Sequence, residues 1–299
     1  MSKKQGKRVK KIRWGQVGLH VFFIVWCATY ILPLILIIGN SLSGDNFLKF
    51  SVWPEKIDFF AYEALWTQPQ ILLRAYGVTL FYSLAGVVLS LVVNSLFAYS
   101  IARRNFKLRR IYSVLLLFTM LMGGGMIGTY LVCANFLHID DTIWVYIIPF
   151  IIAPWTVMVT RTFFQNLPEE IFESARMDGA SEIRICFSIA MPMSIPLLAT
   201  NAYGKFMAGW SDWITSSIYV RNPNLHSVQY VLKKYMDSTA QVGSMLQSLG
   251  MDTSSGSVVS NSYPIRYAMC VVGMLPALFL FPFVQKYFDK GMVVGSLKG

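Results

Sequence analysis

Charge is scarce in this sequence. Only 14% of its 299 residues are Asp, Glu, Lys or Arg, whereas a water-soluble domain carries about a quarter. Acidic residues are the scarcer sign, 15 against 26 basic, which leaves a net charge of +11. An excess of that size could suit nucleic acid, but its placement excludes that reading. Lys3, Lys4, Lys7, Arg8, Lys10, Lys11 and Arg13 precede an apolar run, and Arg103, Arg104, Lys107, Arg109 and Arg110 lie between two others. Basic clusters beside apolar spans are what the positive-inside rule produces.

Other absences narrow the class further. The four cysteines (Cys27, Cys133, Cys186, Cys270) have no short spacing, so neither a disulfide nor a metal site is expected. His20, His138 and His226 are isolated, and no cluster of His, Ser and carboxylates falls within an apolar run, which speaks against an intramembrane enzyme. There is no Gly-x-x-x-x-Gly-Lys-Ser/Thr loop, so the chain has no nucleotide site and no cofactor of its own is expected. No internal repeat supports an inverted-repeat carrier.

What is present is hydrophobic length. Apolar residues make up 55% of the chain and mean hydropathy is +0.51. A span needs about 20 mostly apolar residues, and six segments qualify: 17–42, 76–102, 111–136, 142–164, 193–220 and 263–288. The expected fold is an all-α, polytopic membrane protein with six transmembrane helices. The first run is too long for a signal peptide and lacks a cleavage site, so it reads as a retained span. Lys and Arg concentrate in the N-tail, in 103–110, in 161–185 and at the C-terminus, which puts both termini on the cytoplasmic side. The organisation is then a basic cytoplasmic tail (1–16), a first span (17–42), an extracytoplasmic loop (43–75) and a core (76–299) containing a cytoplasmic loop (165–192) and an outer loop (221–262). In the outer loop, Val228, Val231, Leu232 and Tyr235 have helical spacing, and a Ser/Gly-rich stretch follows.

Pro33, Gly123–Gly125, Pro149, Pro154, Pro276 and Pro282 interrupt the spans. Proline removes a backbone donor and kinks a helix. Two readings stand side by side, ordinary membrane-helix variety or bends around a gated path.

The loop at 165–192 is polar where everything around it is greasy. Asn166 is expected to cap a helix that Pro168 starts, with Glu169 and Glu170 at its positive end. Gly179 ends that helix in a left-handed conformation, and Ser181 caps a second short one before Pro192 opens the fifth span. The product is a helical knuckle. Small residues at Ser174, Ala175, Gly179 and Ala180 admit a partner surface closely, and Glu173, Arg176 and Asp178 orient it.

At these residues the chain resembles the EAA-loop membrane subunits of ATP-binding-cassette importers, whose pattern is Glu-Ala-Ala, then Asp-Gly-Ala, then Ile-x-Leu-Pro. Glu173, Ala175, Asp178, Gly179, Ala180, Ile189 and Pro192 match, while Ser174 and Met191 depart mildly. "GWSDWITSSIYV" and "FDKGMVVGSLKG" are similar to the carbohydrate-importer branch related to the maltose permease's second subunit, and most of all to permeases for complex oligosaccharides in Gram-positive bacteria. The resemblance implies a non-catalytic permease in the bacterial plasma membrane. Its partners would be a second, homologous permease, two ATPases that bind the ATP and Mg, and a lipid-anchored solute-binding protein. The knuckle would sit in a groove on the ATPase.

The fifth span carries a second candidate site, a substrate path at Asn201, Tyr203, Lys205, Trp210, Asp212 and Trp213. A lone charge in lipid costs several kcal/mol, so Lys205 and Asp212 are expected to face protein or water. Trp210 and Trp213 can stack on sugar C–H faces, or sit at the membrane interface where tryptophan is common. The alternatives left open are a secondary carrier or channel, and an importer of a non-sugar solute.

Overall fold

The computed structural model describes residues 14–43, 56–67, 69–248 and 262–296. The basic N-tail, Lys49 and the Ser/Gly-rich stretch before residue 262 lie outside the described residues, as do the last three residues. The described residues are helical and contain no strand beyond an isolated bridge between Ser43 and Ile57.

The chain separates into two compact units, Met1–Thr67 with Thr239–Val272 and Gln68–Ser238 with Gly273–Gly299. In the first unit, α1 (Trp14–Ser41) stays continuous through Pro33 and most of its apolar side chains are exposed, as a lipid-facing span requires. A short α2 (Phe60–Leu65) is tied to its end by the Ser41–Tyr62 hydroxyl pair at 2.8 Å.

The second unit is organised on α3 (Pro69–Ala102), which begins before the expected 76 and so takes in the end of the segment read as loop 43–75. Next come α4 (Arg109–Leu121), α5 (Gly125–Leu131), α6 (Pro154–Gln165), α7 (Glu169–Met177), α8 (Glu182–Ile185), α9 (Met191–Met193), α10 (Ile195–Trp210), α11 (Ile214–Tyr219) and α12 (Val228–Ser248). The last helix, α13 (Ser262–Ser296), stays continuous through Pro276 and Pro282. α3 packs on α6 and α10 through small residues. A Cβ on Gly209 would lie 2.8 Å from Ser83 Oγ, so a side chain there would have to displace that hydroxyl at the α3–α10 contact.

Three helices are long and apolar enough to cross a membrane unbroken: Gly18–Ser41, Pro69–Ala102 and Tyr263–Phe283. The other expected spans are bent pairs, 116° between Arg109–Leu121 and Gly125–Phe136, 48° between Ile143–Phe150 and Pro154–Gln165, and 87° between Glu182–Met193 and Ile195–Trp210. Gly125, at φ +67°, turns the first. Pro154, which cannot continue the preceding backbone ladder, restarts the second. The third was read as one span from 193. It breaks at Ser194, because Pro196 has no N–H for the carbonyl four residues back. Ser194 Oγ donates to the Ala190 carbonyl at 2.8 Å and satisfies one group at the break.

At the second break, Asn94 of α3 does the same from outside the element. Its Nδ2 donates to the Ile151 carbonyl at 3.0 Å, and its Oδ1 accepts from the Ala153 N–H at 3.1 Å. Non-helical backbone at membrane depth survives only where such partners exist. α12 confirms the helical spacing at Val228, Val231 and Leu232, which are buried, while Tyr235 is exposed and the helix runs on to Ser248.

Candidate functional site

The knuckle forms from its own capping chemistry. α7 does not start as expected: Asn166 closes α6 as its C-cap, and Pro168 takes the N-cap with no side-chain hydrogen bond. Its locked φ suits that position, and Glu169 and Glu170 lie in the first turn, where the positive end of the helix favours acidic residues. At the other end Gly179 lies at φ +78°. The Ala180 N–H reaches the Ala175 carbonyl and the Gly179 N–H reaches that of Arg176, both at 3.0 Å, which completes a Schellman stop. Ser181 Oγ then accepts from the Arg184 N–H at 3.4 Å and caps α8.

A charged lattice ties the knuckle to the end of α3. Arg176 Nε donates to Glu182 Oε1 at 2.9 Å and its Nη1 to Glu169 Oε1 at 3.2 Å. Arg103 Nη1 donates to Glu169 Oε2 at 3.3 Å, and the Tyr99 hydroxyl donates to Glu182 Oε2 at 2.6 Å. Arg103 also stacks on aromatic faces, 3.6 Å from the Phe172 centroid and 4.4 Å from that of Tyr99. Phe172 is fully buried in a core with Ala98, Tyr99, Phe164 and Ile185. Burial opposes ionisation of Glu182, but hydrogen bonds from Tyr99 and Arg176 outweigh it and hold the carboxyl below its usual pKa of 4.5.

The opposite face is bare. Glu173, Ser174, Asp178 and Gly179 are exposed, and Met177 is 88% exposed. Ala175 and Ala180 are half-buried against the core instead. Arg176, expected to face a partner, is turned inward to Glu169 and Glu182. Pro192 is exposed but sits in α9, beyond a π-helical turn at Cys186–Ala190 and away from the α7 face. Two residues were missed from sequence. Arg103 reads only as a topology charge, and Met177 is not singled out by the sequence reading at all. The signal for Met177 was its place in the last turn, next to Asp178 and the stop glycine.

The bent spans enclose a cavity of about 840 Å³. Asn201, Lys205, Asp212 and Trp213 line it, with Tyr82 and Trp155 among its aromatic walls. Lys205 Nζ donates to the Phe150 carbonyl at 2.5 Å, at the end of a broken span. Asp212 Oδ1 accepts from the Thr215 N–H at 3.0 Å at the start of α11, and Asn201 Nδ2 donates to Thr160 Oγ1 at 3.2 Å. Tyr82 and Tyr146 stack at 4.3 Å between centroids. Two expected path residues are not among its lining. Trp210 is 1% exposed, stacks on Phe206 and donates Nε1 to the Gly273 carbonyl at 2.9 Å. Tyr203 packs against Phe281 at 6.2 Å. Both lie on the face of α10 turned to α13.

Among the described residues no group of three His, Cys, Asp or Glu could hold a metal ion.

Apolar helices broken around a cavity whose largely apolar walls carry a few amide, hydroxyl and charged groups, together with a braced helical knuckle, define a membrane transport component. Residues 94–294 match the family described as binding-protein-dependent transport system inner membrane component, and the chain belongs to that family. It is 35% identical to Protein LplC of Bacillus subtilis (strain 168), over 91% of this chain and 90% of the relative. It is 30% identical to the polygalacturonan/rhamnogalacturonan transport system permease protein YtcP of the same organism, over 97% of this chain and all of the relative. A chain in the crystal structure of a bacterial ABC transporter involved in the import of the acidic polysaccharide alginate superposes with a TM-score of 0.80 at 24% identity, covering 95% of this chain and 100% of that one. That likeness establishes a shared fold.

Proposed function

We propose that this chain is one of two homologous permease subunits in an ATP-driven, binding-protein-dependent importer of an oligosaccharide. Three unbroken helices and three bent ones give six spans, the third bent one entering the membrane only after the knuckle, and the termini and the knuckle lie on the cytoplasmic side. α7 docks in a groove on a separate ATPase, which binds the ATP and Mg. ATP-driven closure of two ATPases draws the docked knuckles together, and α3 carries that movement to the spans around the cavity. A lipid-anchored solute-binding protein delivers the solute from outside.

The observation that carries this reading is the knuckle's two-sided construction. One side is fixed by Phe172 and the Arg103–Glu169–Arg176–Glu182 lattice, and the other presents Glu173, Met177, Asp178 and Gly179 to solvent. A protrusion rigid from within and bare without suits force transmission to a partner. For the cargo, support comes from the hydroxyl, amide and aromatic lining of the cavity, which matches sugar hydroxyls and C–H faces, and from relatives named for polygalacturonan and arabinooligosaccharide transport.

The test is uptake of defined oligosaccharides by proteoliposomes holding the complete complex with ATP inside. Uptake that requires ATP and the binding protein is expected. Uptake driven by an ion gradient without ATP contradicts the proposal and favours a secondary carrier.

A further inference from the structure

A second, smaller cavity of about 330 Å³ lies between the first turns of α3, the 223–226 turn and α12. Arg74, His226 and Lys234 line it together with Gln70, Asn224 and Tyr235, and none of its lining residues is acidic. The acids in the surrounding segments are committed elsewhere. Asp141 Oδ1 accepts from the N–H groups of Arg221 (2.9 Å) and Asn222 (2.7 Å), and Asp237 pairs with Lys233 at 3.0 Å. Arg74 is held in place by donating Nη1 to Asn224 Oδ1, which leaves the rest of its fork available. His226 is 8% exposed and packs edge-on against Tyr230, so it forms a wall, and burial holds it below its usual pKa. Arg74 and Lys234 are exposed and supply the charge.

The position of this cavity selects its ligand. α3 carries Arg74 near one end, and Tyr99, bonded to the knuckle, near the other. At about 1.5 Å per helical residue, the stretch between them is roughly 40 Å, more than the ~30 Å hydrocarbon core. The cavity and the knuckle therefore open on opposite sides of a membrane that α3 crosses.

We propose that this basic cavity receives an acidic side chain, Asp or Glu, of the solute-binding protein when it docks on the outer face. This rests on the importer reading above and adds to it a defined contact. A carboxylate can take paired N–H bonds from the planar guanidinium of Arg74, with Lys234 as a second cation alongside. A contact at the rim of an interface should act on association and its salt dependence more than on residence time.

The experiment uses the complete transporter in nanodiscs and the purified binding protein, with affinity measured between 50 mM and 300 mM NaCl. Arg74→Glu and Lys234→Glu should each weaken docking at least tenfold at low salt and flatten the salt dependence, and Arg74→Gln should fall between. Replacing acids of the binding protein's docking face by Lys, one at a time, should yield one variant that restores docking to Arg74→Glu. The ratio of ATPase to permease chains after purification reports assembly separately. If the unaltered complex fails to bind the protein at all, the importer reading fails. If it binds and the charge-reversed variants bind equally well, this proposal fails and the reading survives. Unchanged docking with reduced uptake of an oligogalacturonate overturns it in favour of a carboxylated solute as the ligand.

Discussion

The guanidinium of Arg103 lies 3.6 Å from the centroid of the Phe172 ring, with one nitrogen 3.3 Å from Glu169. One side chain just past the end of α3 thus grips both the buried anchor and the first turn of the knuckle. On the proposed reading, a movement imposed on α7 would reach α3 through this aromatic face and ion pair rather than through a loop.

Loosening that grip should uncouple before it unfolds. Phe172→Ala removes a fully buried ring, a change worth about 3–5 kcal/mol in a packed core. Arg103→Gln keeps the apolar stem and removes a cation–π contact worth roughly 0.5–2 kcal/mol. Both variants should insert normally and lose ATP-dependent uptake, Phe172→Ala more completely. Hydrogen exchange of the Glu169–Met177 amides, compared with those of α3, checks that the effect is local.

Gly179 separates backbone strain from steric exclusion. Nothing lies within 4 Å of a Cβ added there, so inside this chain a side chain meets open space and pays only for the left-handed backbone. That cost is about 1–2 kcal/mol for most residues and least for Asn. Gly179→Asn should therefore keep most transport and Gly179→Val should lose it. If Asn is as damaging as Val while the knuckle stays ordered by hydrogen exchange, the partner's groove has no room for a side chain.

Asn94 should be a stability residue with a transport phenotype. Asn94→Ala leaves the Ile151 carbonyl and the Ala153 N–H unpaired, at about 1–3 kcal/mol for each buried group. The expected result is a lower melting temperature of the detergent-solubilised protein and slower uptake. Asn94→Asp, whose ionised carboxylate would be buried against the Ser90 and Ile151 carbonyls, should be at least as damaging.

The lattice sets a pH window. Glu182 has a depressed pKa when folded, so its contribution is fully present above the unfolded value near 4.5 and is lost as pH falls through the lower folded value. Exchange of the α7 amides, corrected for intrinsic rates, should be flat from pH 8 to 5 and rise below about 4.5. Glu182→Gln should remove that rise, since a neutral amide does not titrate.

Much of this was legible in the chain. Length and hydropathy found the helical membrane character and three unbroken spans, and glycine at the α7 stop and serine at the α8 cap announced themselves because each does one backbone job. What stayed hidden depends on contacts far apart in sequence. Arg103 belongs to a basic cluster that topology alone explains, and only folding sets it on Phe172. Tyr203 and Trp210 share α10 with Asn201 and Lys205, but an apolar helix packed on several sides carries no periodicity to say which face meets a cavity. The break at Ser194 was masked by the hydrophobicity on both sides of it, although Pro192 and Pro196 were in view. Asn166 looked like a cap because Asn serves either end of a helix, and the two helices meet there.

The central claim, that the bare face of the knuckle meets the ATPase, is tested most directly by photo-crosslinking. A benzophenone amino acid would be placed at Met177, and as a control at Ile71, near the far end of α3, in the complete complex in membranes. The expected result is an ATPase adduct from position 177 whose yield changes with ATP, and none from position 71. Intact transport with no ATPase adduct from position 177, or an ATPase adduct from position 71, would contradict it.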